Sequence, residues 1–272
     1  MKKLFALVLA ILMMVGGFAH AEDTSIQYIL DKGTFILGLD DSFPPMGFRD
    51  ENNESVGFDI DVAKAGAAKL GVDFIAQPIS WDAKELELNA KNIDCIWNGM
   101  SITPEREASM AMTWPYLNNQ MVFYVKADSG IASVEDLAGK VVAVQNGSYA
   151  EELLLGEYAD LAATFDGDLL GYDEYLTALM DLQQGGCDAV LVDLVVGEYK
   201  VSGMGATDLK AAFALADDNY GIGFRKEDAA LRDKVQDILT CRTGAENFRH
   251  YALHYYPPGR YGRYDSQPAD SS

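Results

Sequence analysis

Two residues of opposite charge carry most of the chemistry this sequence offers. Asn98 to Arg106 reads as the end of a strand running into a helix: Thr103 is a cap, Pro104 a first helical position, and Arg106 falls in the first turn. A cation there opposes the helix dipole, so it is poor helix design but good design for holding an anion. A solvated surface arginine is the plainer alternative. Asp193 closes the apolar run Ala189 to Val192, and in open α/β sheets ligands sit beyond the carboxyl ends of strands. A carboxylate there suits an ammonium, or else caps the next helix. Asp40 ends the run Thr34 to Leu39 in the same way. Gly147-Ser148 lies between a strand-like and a helix-like run, so its N–H groups suit a carboxylate, although an ordinary strand-to-helix turn looks the same. Phe43 and Trp81 have flat faces that would cover an apolar or planar group; an aromatic in either place is also ordinary core. A guanidinium fork, a carboxylate and aromatic walls together match a zwitterion such as a free amino acid. These segments hold no His–nucleophile pair and no Cys/His metal spacing, so neither metal nor cofactor is expected.

The elements that must position these residues alternate along the chain. Thr34 to Leu39 reads as a strand, Gly57 to Gly71 as a helix ended by its glycine, and Val72 to Ala76 as a strand. Trp81 to Ala90 reads as helix and Ile93 to Trp97 as strand. The second half repeats the plan: strand Lys140 to Val144, helix from Gly147-Ser148 through Leu155, helix Glu174 to Gln184, strand Ala189 to Val192. Such alternation predicts an α/β fold with mixed sheets flanked by helices. A faint internal echo points to two similar lobes: Leu88 to Asp94 and Leu182 to Asp188 each place a Leu six residues before an Asp, with a Cys beside it. Two β-rich stretches, Asn118 to Lys126 and Leu215 to Phe224, read as crossings between the lobes, and two such strands make a hinge.

Composition narrows the setting. Of 272 residues, 42 are acidic and 21 basic, a formal net charge of −21, which repels nucleic acid and anionic lipid and excludes both as partners. Lys2-Lys3, the apolar run Leu4 to Val15 and Ala19-His20-Ala21 form an export signal over residues 1–21, with the mature chain starting near Glu22. That run is too short to span a bilayer, so a soluble periplasmic protein is expected. The cysteines, Cys95, Cys187 and Cys241, are odd in number, so at least one thiol is unpaired. Cys95 and Cys187 read as small buried residues; a Cys187–Cys241 bond stays open.

Several segments carry a family resemblance: Gly38-Leu39-Asp40, Phe43-Pro44-Pro45-Met46-Gly47-Phe48, Gly57-Phe58-Asp59-Ile60-Asp61, Ile93-Asp94, Ser101-Ile102-Thr103 with Arg106, and Asp193. Together they resemble the polar-amino-acid family of extracellular solute-binding proteins that serve ABC transporters (family 3), over about residues 26 to 239. The resemblance implies a type II periplasmic-binding-protein-like fold, with two mixed sheets in two lobes joined by a two-strand hinge. It divides the chain into lobe 1, residues 22–119 plus 215–272, and lobe 2, residues 120–214. It implies that Arg106 grips the α-carboxylate with help from Ser101 and Ser148, that Asp193 holds the α-ammonium near the Gly99 carbonyl, and that Asp40, Phe43, Trp81, Asn98 and Gln145 line the side-chain pocket. The partners it implies are a small amino acid and a transporter permease, with the chain acting as a monomer and without chemistry of its own. Two other readings stand beside it: an enzyme of the cyclohexadienyl-dehydratase kind on the same fold, with Asp40 or Asp193 as its acid, and a ligand-sensing module. From Thr240 the character changes to four Arg, no Lys and three acids, so the tail is read as atypical of the family.

Overall fold

The computed structural model describes residues 23–240. The export signal, the tail beyond Thr240 and Cys241 lie outside them. The chain opens with α1 (Ser25–Lys32), β1 (Thr34–Leu39), and the short strands β2 (Ser42–Phe43), β3 (Gly47–Arg49) and β4 (Ser55–Val56). It continues through α2 (Phe58–Leu70), β5 (Asp73–Pro78), α3 (Lys84–Asn89), β6 (Cys95–Ser101), α4 (Pro104–Ser109) and β7 (Met110–Met112). After the long β8 (Leu117–Lys126) come β9 (Val142–Gln145), α5 (Tyr149–Leu155), α6 (Ala159–Ala162), β10 (Leu170–Tyr172), α7 (Tyr175–Gln184) and β11 (Ala189–Asp193). The last elements are α8 (Leu194–Met204), β12 (Leu209–Arg225) and α9 (Ala229–Thr240).

The expected α/β alternation is present, and Gly71 closes α2 with its N–H turned back to Ala67 and Ala68. Trp81 to Ala90 differs in detail: Trp81–Ala83 is a 3-10 turn and the α-helix begins at Lys84, whose ammonium reaches back to the Trp81 carbonyl at 3.3 Å. Nine strands form one mixed ladder in the order β10-β9-β11-β8-β12-β6-β1-β5, with β7 also on β12. The two sheets expected from the sequence are therefore hydrogen-bonded to one another through the crossing strands. β12 is longer than its predicted portion, with 17 residues. It pairs antiparallel with β8 from Leu209↔Lys126 to Tyr220↔Leu117, and beyond Tyr220 it pairs with β6 and β7. Its register slips between Ala211 and Phe213, between Ala214 and Ala216, and between Gly221 and Gly223.

The internal echo has a physical content. Asp94 donates its N–H to Ile36 O (2.8 Å) and accepts the Ile36 N–H on Oδ2 (2.7 Å), tying the start of β6 to β1. Asp188 does the same to Val141 in the second half, at 2.8 and 2.9 Å. Each aspartate thus satisfies a strand-edge amide on both sides of a parallel pair. Asp94 is fully buried, and Lys32 (2.6 Å) and Arg225 (3.8 Å) neutralise it. Core packing follows the sheet faces. One apolar cluster runs under both halves, from Phe35 and Leu37 to Leu179 and Val190; separate clusters lie around Phe123 and Leu154 and around Leu88 and Met100. Cys95 and Cys187 are buried in different halves and are not joined, as expected. Among the described residues no helix is long and apolar enough to cross a membrane.

Candidate functional site

The carboxyl ends of β1, β6, β9 and β11 converge where the two halves of the ladder face each other. A narrow cleft there is lined by Phe43, Trp81, Gly99, Ser101, Arg106, Gln145, Ser148, Tyr149, Tyr175 and Asp193. Eight of the ten residues singled out from the sequence therefore meet in one place. Asp40 and Asn98 lie one layer behind. Asn98 Oδ1 accepts the Asp40 N–H (3.1 Å), and Asp40 in turn accepts Gln145 Nε2 at 2.6 Å from the opposite half. The Gly-Phe-Asp-Ile-Asp motif acts through Asp59, which accepts the Gly99 N–H at 2.7 Å and the Tyr116 hydroxyl at 2.9 Å and so fixes the end of β6. Full burial pushes Asp59 up to about 7.

Arg106 is placed as its local sequence demands. Thr103 Oγ1 caps α4 by accepting the Arg106 N–H at 3.2 Å, Pro104 follows, and the guanidinium turns inward with 2% of the residue exposed. The surface-arginine reading is excluded. Arg106 Nη1 donates to the Ser101 carbonyl (2.9 Å) and Nη2 to Glu152 Oε1 (2.7 Å) across the cleft, while Nε is buried with no partner.

Asp193 stands at the N-cap position of α8 but makes no capping bond. Its Oδ1 instead accepts Asn119 Nδ2 (2.8 Å) and Tyr220 OH (2.7 Å), both from the crossing strands. Asn119 also donates to Asp218 Oδ2 (2.9 Å), which accepts Ser101 Oγ at 3.0 Å. Two buried carboxylates thus share one amide. Burial, then the neighbouring Asp218 charge, pushes Asp193 up to about 7; burial likewise raises Asp218, and Arg106 pulls both back. A bound cation would relieve this strain.

The expectation for Gly147-Ser148 needs correction. The Gly147 N–H is taken by Glu151 Oε2 (2.8 Å) and the Ser148 N–H by the Gln145 carbonyl (3.3 Å), so only the Ser148 hydroxyl remains toward the cleft, where it also accepts the Glu151 N–H at 3.3 Å. A helix start whose own Glu folds back on it keeps the Gly147 amide from a guest. The two halves touch here: Lys84 Nζ donates to the Gly147 carbonyl across the cleft at 2.8 Å, and burial pulls Lys84 down to about 8. A side chain at Gly147, where φ is +66°, would meet Asp82 Cα at 2.8 Å.

The sequence reading missed Asn119, Asp218, Tyr220, Tyr149, Tyr175, Lys84 and Glu152. For Asp218 a signal existed: Asp217-Asp218-Asn219 are residues that strands avoid, yet they sit in mid-strand. Among the described residues no cluster of His, Cys, Asp and Glu has metal-binding geometry.

The chain is similar to known proteins over most of its length. Residues 35–250 match the model for bacterial extracellular solute-binding proteins, family 3. The chain is 28% identical over 223 residues to the L-cystine-binding protein TcyJ of Escherichia coli, covering 81% of this chain and 82% of that protein. It is 32% identical to the putative ABC transporter arginine-binding protein 2 of the same organism, covering 76% and 84%. A substrate-binding protein of an ABC uptake transporter from Streptococcus pneumoniae, solved with bound histidine, superposes with a TM-score of 0.82 at 30% identity, covering 89% of this chain and all of that one. Match and fold together make the chain a member of the bacterial extracellular solute-binding proteins, family 3.

Proposed function

We propose that this protein captures one free amino acid outside the cytoplasm by closing two lobes around it, and presents it to the permease of an ABC transporter. The observation that carries this reading is the meeting of Arg106 and Asp193, 2% and 5% exposed, in one cleft beside the strands that join the halves. A guanidinium grips a carboxylate in two-pronged fashion, and a carboxylate under pressure from its neighbour favours an ammonium. Lobe 1 comprises residues 22–119 and 215–272, lobe 2 residues 120–214, and motion at the crossing strands opens and closes the cleft. Ligand contacts to both lobes exist only in the closed form, so binding shifts the population toward it. Relatives named for cystine and arginine, and a neighbour holding histidine, support the ligand class. Residues 1–21 direct export, and the mature chain works as a monomer.

Calorimetric titration with the common amino acids and cystine tests the reading. One of them binds the parent, and Arg106→Ala weakens it at least tenfold, because breaking a desolvated charge pair is costly. Unchanged affinity removes Arg106 from the site. A second reading, an enzyme on the same fold, draws on the raised Asp193 carboxyl, which suits an acid working near neutral pH. Turnover of a cyclic prephenate-like acid by the purified protein decides for it.

A further inference from the structure

Arg106 has one arm that two carboxylates want. Glu152, on α5 in the second half, reaches across the cleft and accepts Nη2 through Oε1 at 2.7 Å. The contact is single-pronged. Glu152 Oε2 and Arg106 Nε are both buried and both without a hydrogen-bond partner, so a donor and an acceptor are left over where a fork could have closed. The third nitrogen, Nη1, is held by the Ser101 carbonyl. The edge open to a two-pronged carboxylate is therefore Nε with Nη2, and Glu152 already stands on half of it. Its neighbour Glu151 shares no such position; it turns back onto the Gly147 amide of its own helix start.

We propose that Glu152 is a built-in competitor for the ligand's carboxylate, holding one arm of Arg106 across the cleft until a guest that offers two bonds displaces it. The inference rests on Arg106 being the carboxylate grip. It makes Glu152 an affinity-setting residue: a ligand that presents a full carboxylate to Nε and Nη2 gains a bond over Glu152, and one that reaches only Nη2 gains none. It also makes the pair a closing contact in its own right, alongside Gln145–Asp40 and Lys84–Gly147.

The test compares the parent, Glu152→Gln, Glu152→Ala and Arg106→Ala. Each is titrated calorimetrically with L-arginine, L-histidine and L-cystine, and each is measured without amino acid by small-angle X-ray scattering. Half-buried ion pairs lie between the exposed and buried classes, so removing the competitor tightens binding roughly 3- to 30-fold in Glu152→Ala, with Glu152→Gln between. Without amino acid, Glu152→Ala scatters as a more open particle than the parent. The Glu152→Gln change keeps the side chain's shape and guards against a packing explanation. Unchanged or weaker binding in both Glu152 variants, with Arg106→Ala losing affinity, overturns the competition and leaves the grip standing. Arg106→Ala binding like the parent overturns the grip itself.

Discussion

The substitution Asp193→Asn separates the cost of the site from its use. In the folded chain Asp193 is pushed from 3.8 up to about 7 by burial and by Asp218. The folded form therefore holds the proton more tightly than the unfolded chain does, and stability falls as pH rises from about 4 through 7. At about 1.4 kcal/mol per pH unit the ionised site costs on the order of 4 kcal/mol, and sharing the charge with Asp218 reduces what a single substitution returns to about 2–4 kcal/mol. The carboxamide that replaces the carboxylate keeps an oxygen to accept Asn119 Nδ2 and Tyr220 OH, so the local bonds survive. Without amino acid, Asp193→Asn should melt roughly 5–10 °C above the parent at pH 8, and the gap should narrow as pH drops toward 4. Its affinity for the same amino acid should fall at least tenfold, because the ammonium loses its counter-charge. Differential scanning calorimetry across pH 4–8, paired with titration calorimetry, reads both effects. A variant that melts below the parent at pH 8, or binds as tightly, refutes the electrostatic account of the cleft.

Affinity in the parent should weaken as pH falls from 8 to 6, since protonating the raised Asp193–Asp218 pair removes the ammonium's partner; titrations at stepped pH check the slope. Gly147→Val should wedge the halves apart against Asp82 and weaken binding at least tenfold, and should also lower the melting temperature by roughly 2–10 °C because a β-branched residue is strained at φ +66°; scattering would show a particle that stays open with amino acid present. Arg225→Met removes the cation between Asp94 and Asp228 and the donor to the Leu88 and Ile93 carbonyls, and should destabilise the fold by about 3–5 kcal/mol in urea titration without touching the cleft.

Much of the site was legible because its determinants are local. Thr103-Pro104-x-Arg106 fixes a cap and a first turn within four residues, and strand ends such as Asp193 are recognised from a short apolar run. The Asp94 and Asp188 echo was visible for the same reason. What escaped notice depends on pairing across long stretches of chain. Asp218 meets Asn119 because β12 and β8 align in one register, and Glu152 meets Arg106 across the cleft from the other half of the ladder, 46 residues on. Neither contact leaves a mark within a window of neighbouring residues. The Gly147 amide misled for a different reason: a loop between strand and helix advertises free N–H groups, and the glutamate that occupies one lies four residues on.

The three register slips along β12 give the molecule a spine with built-in slack. β12 carries the extra residue at the two slips against β8, β6 carries the surplus at the slip between Gly221 and Gly223, and each slip interrupts the ladder and adds local twist while regular pairing on either side holds. Two slips fall on the stretch shared with β8 and one where the strand passes to β6, which spreads any swing over several joints instead of a single pivot. In the closure proposed above, a gape distributed this way asks little of each peptide unit, and leaves the side-chain contacts Arg106–Glu152, Gln145–Asp40 and Lys84–Gly147 to hold the halves together.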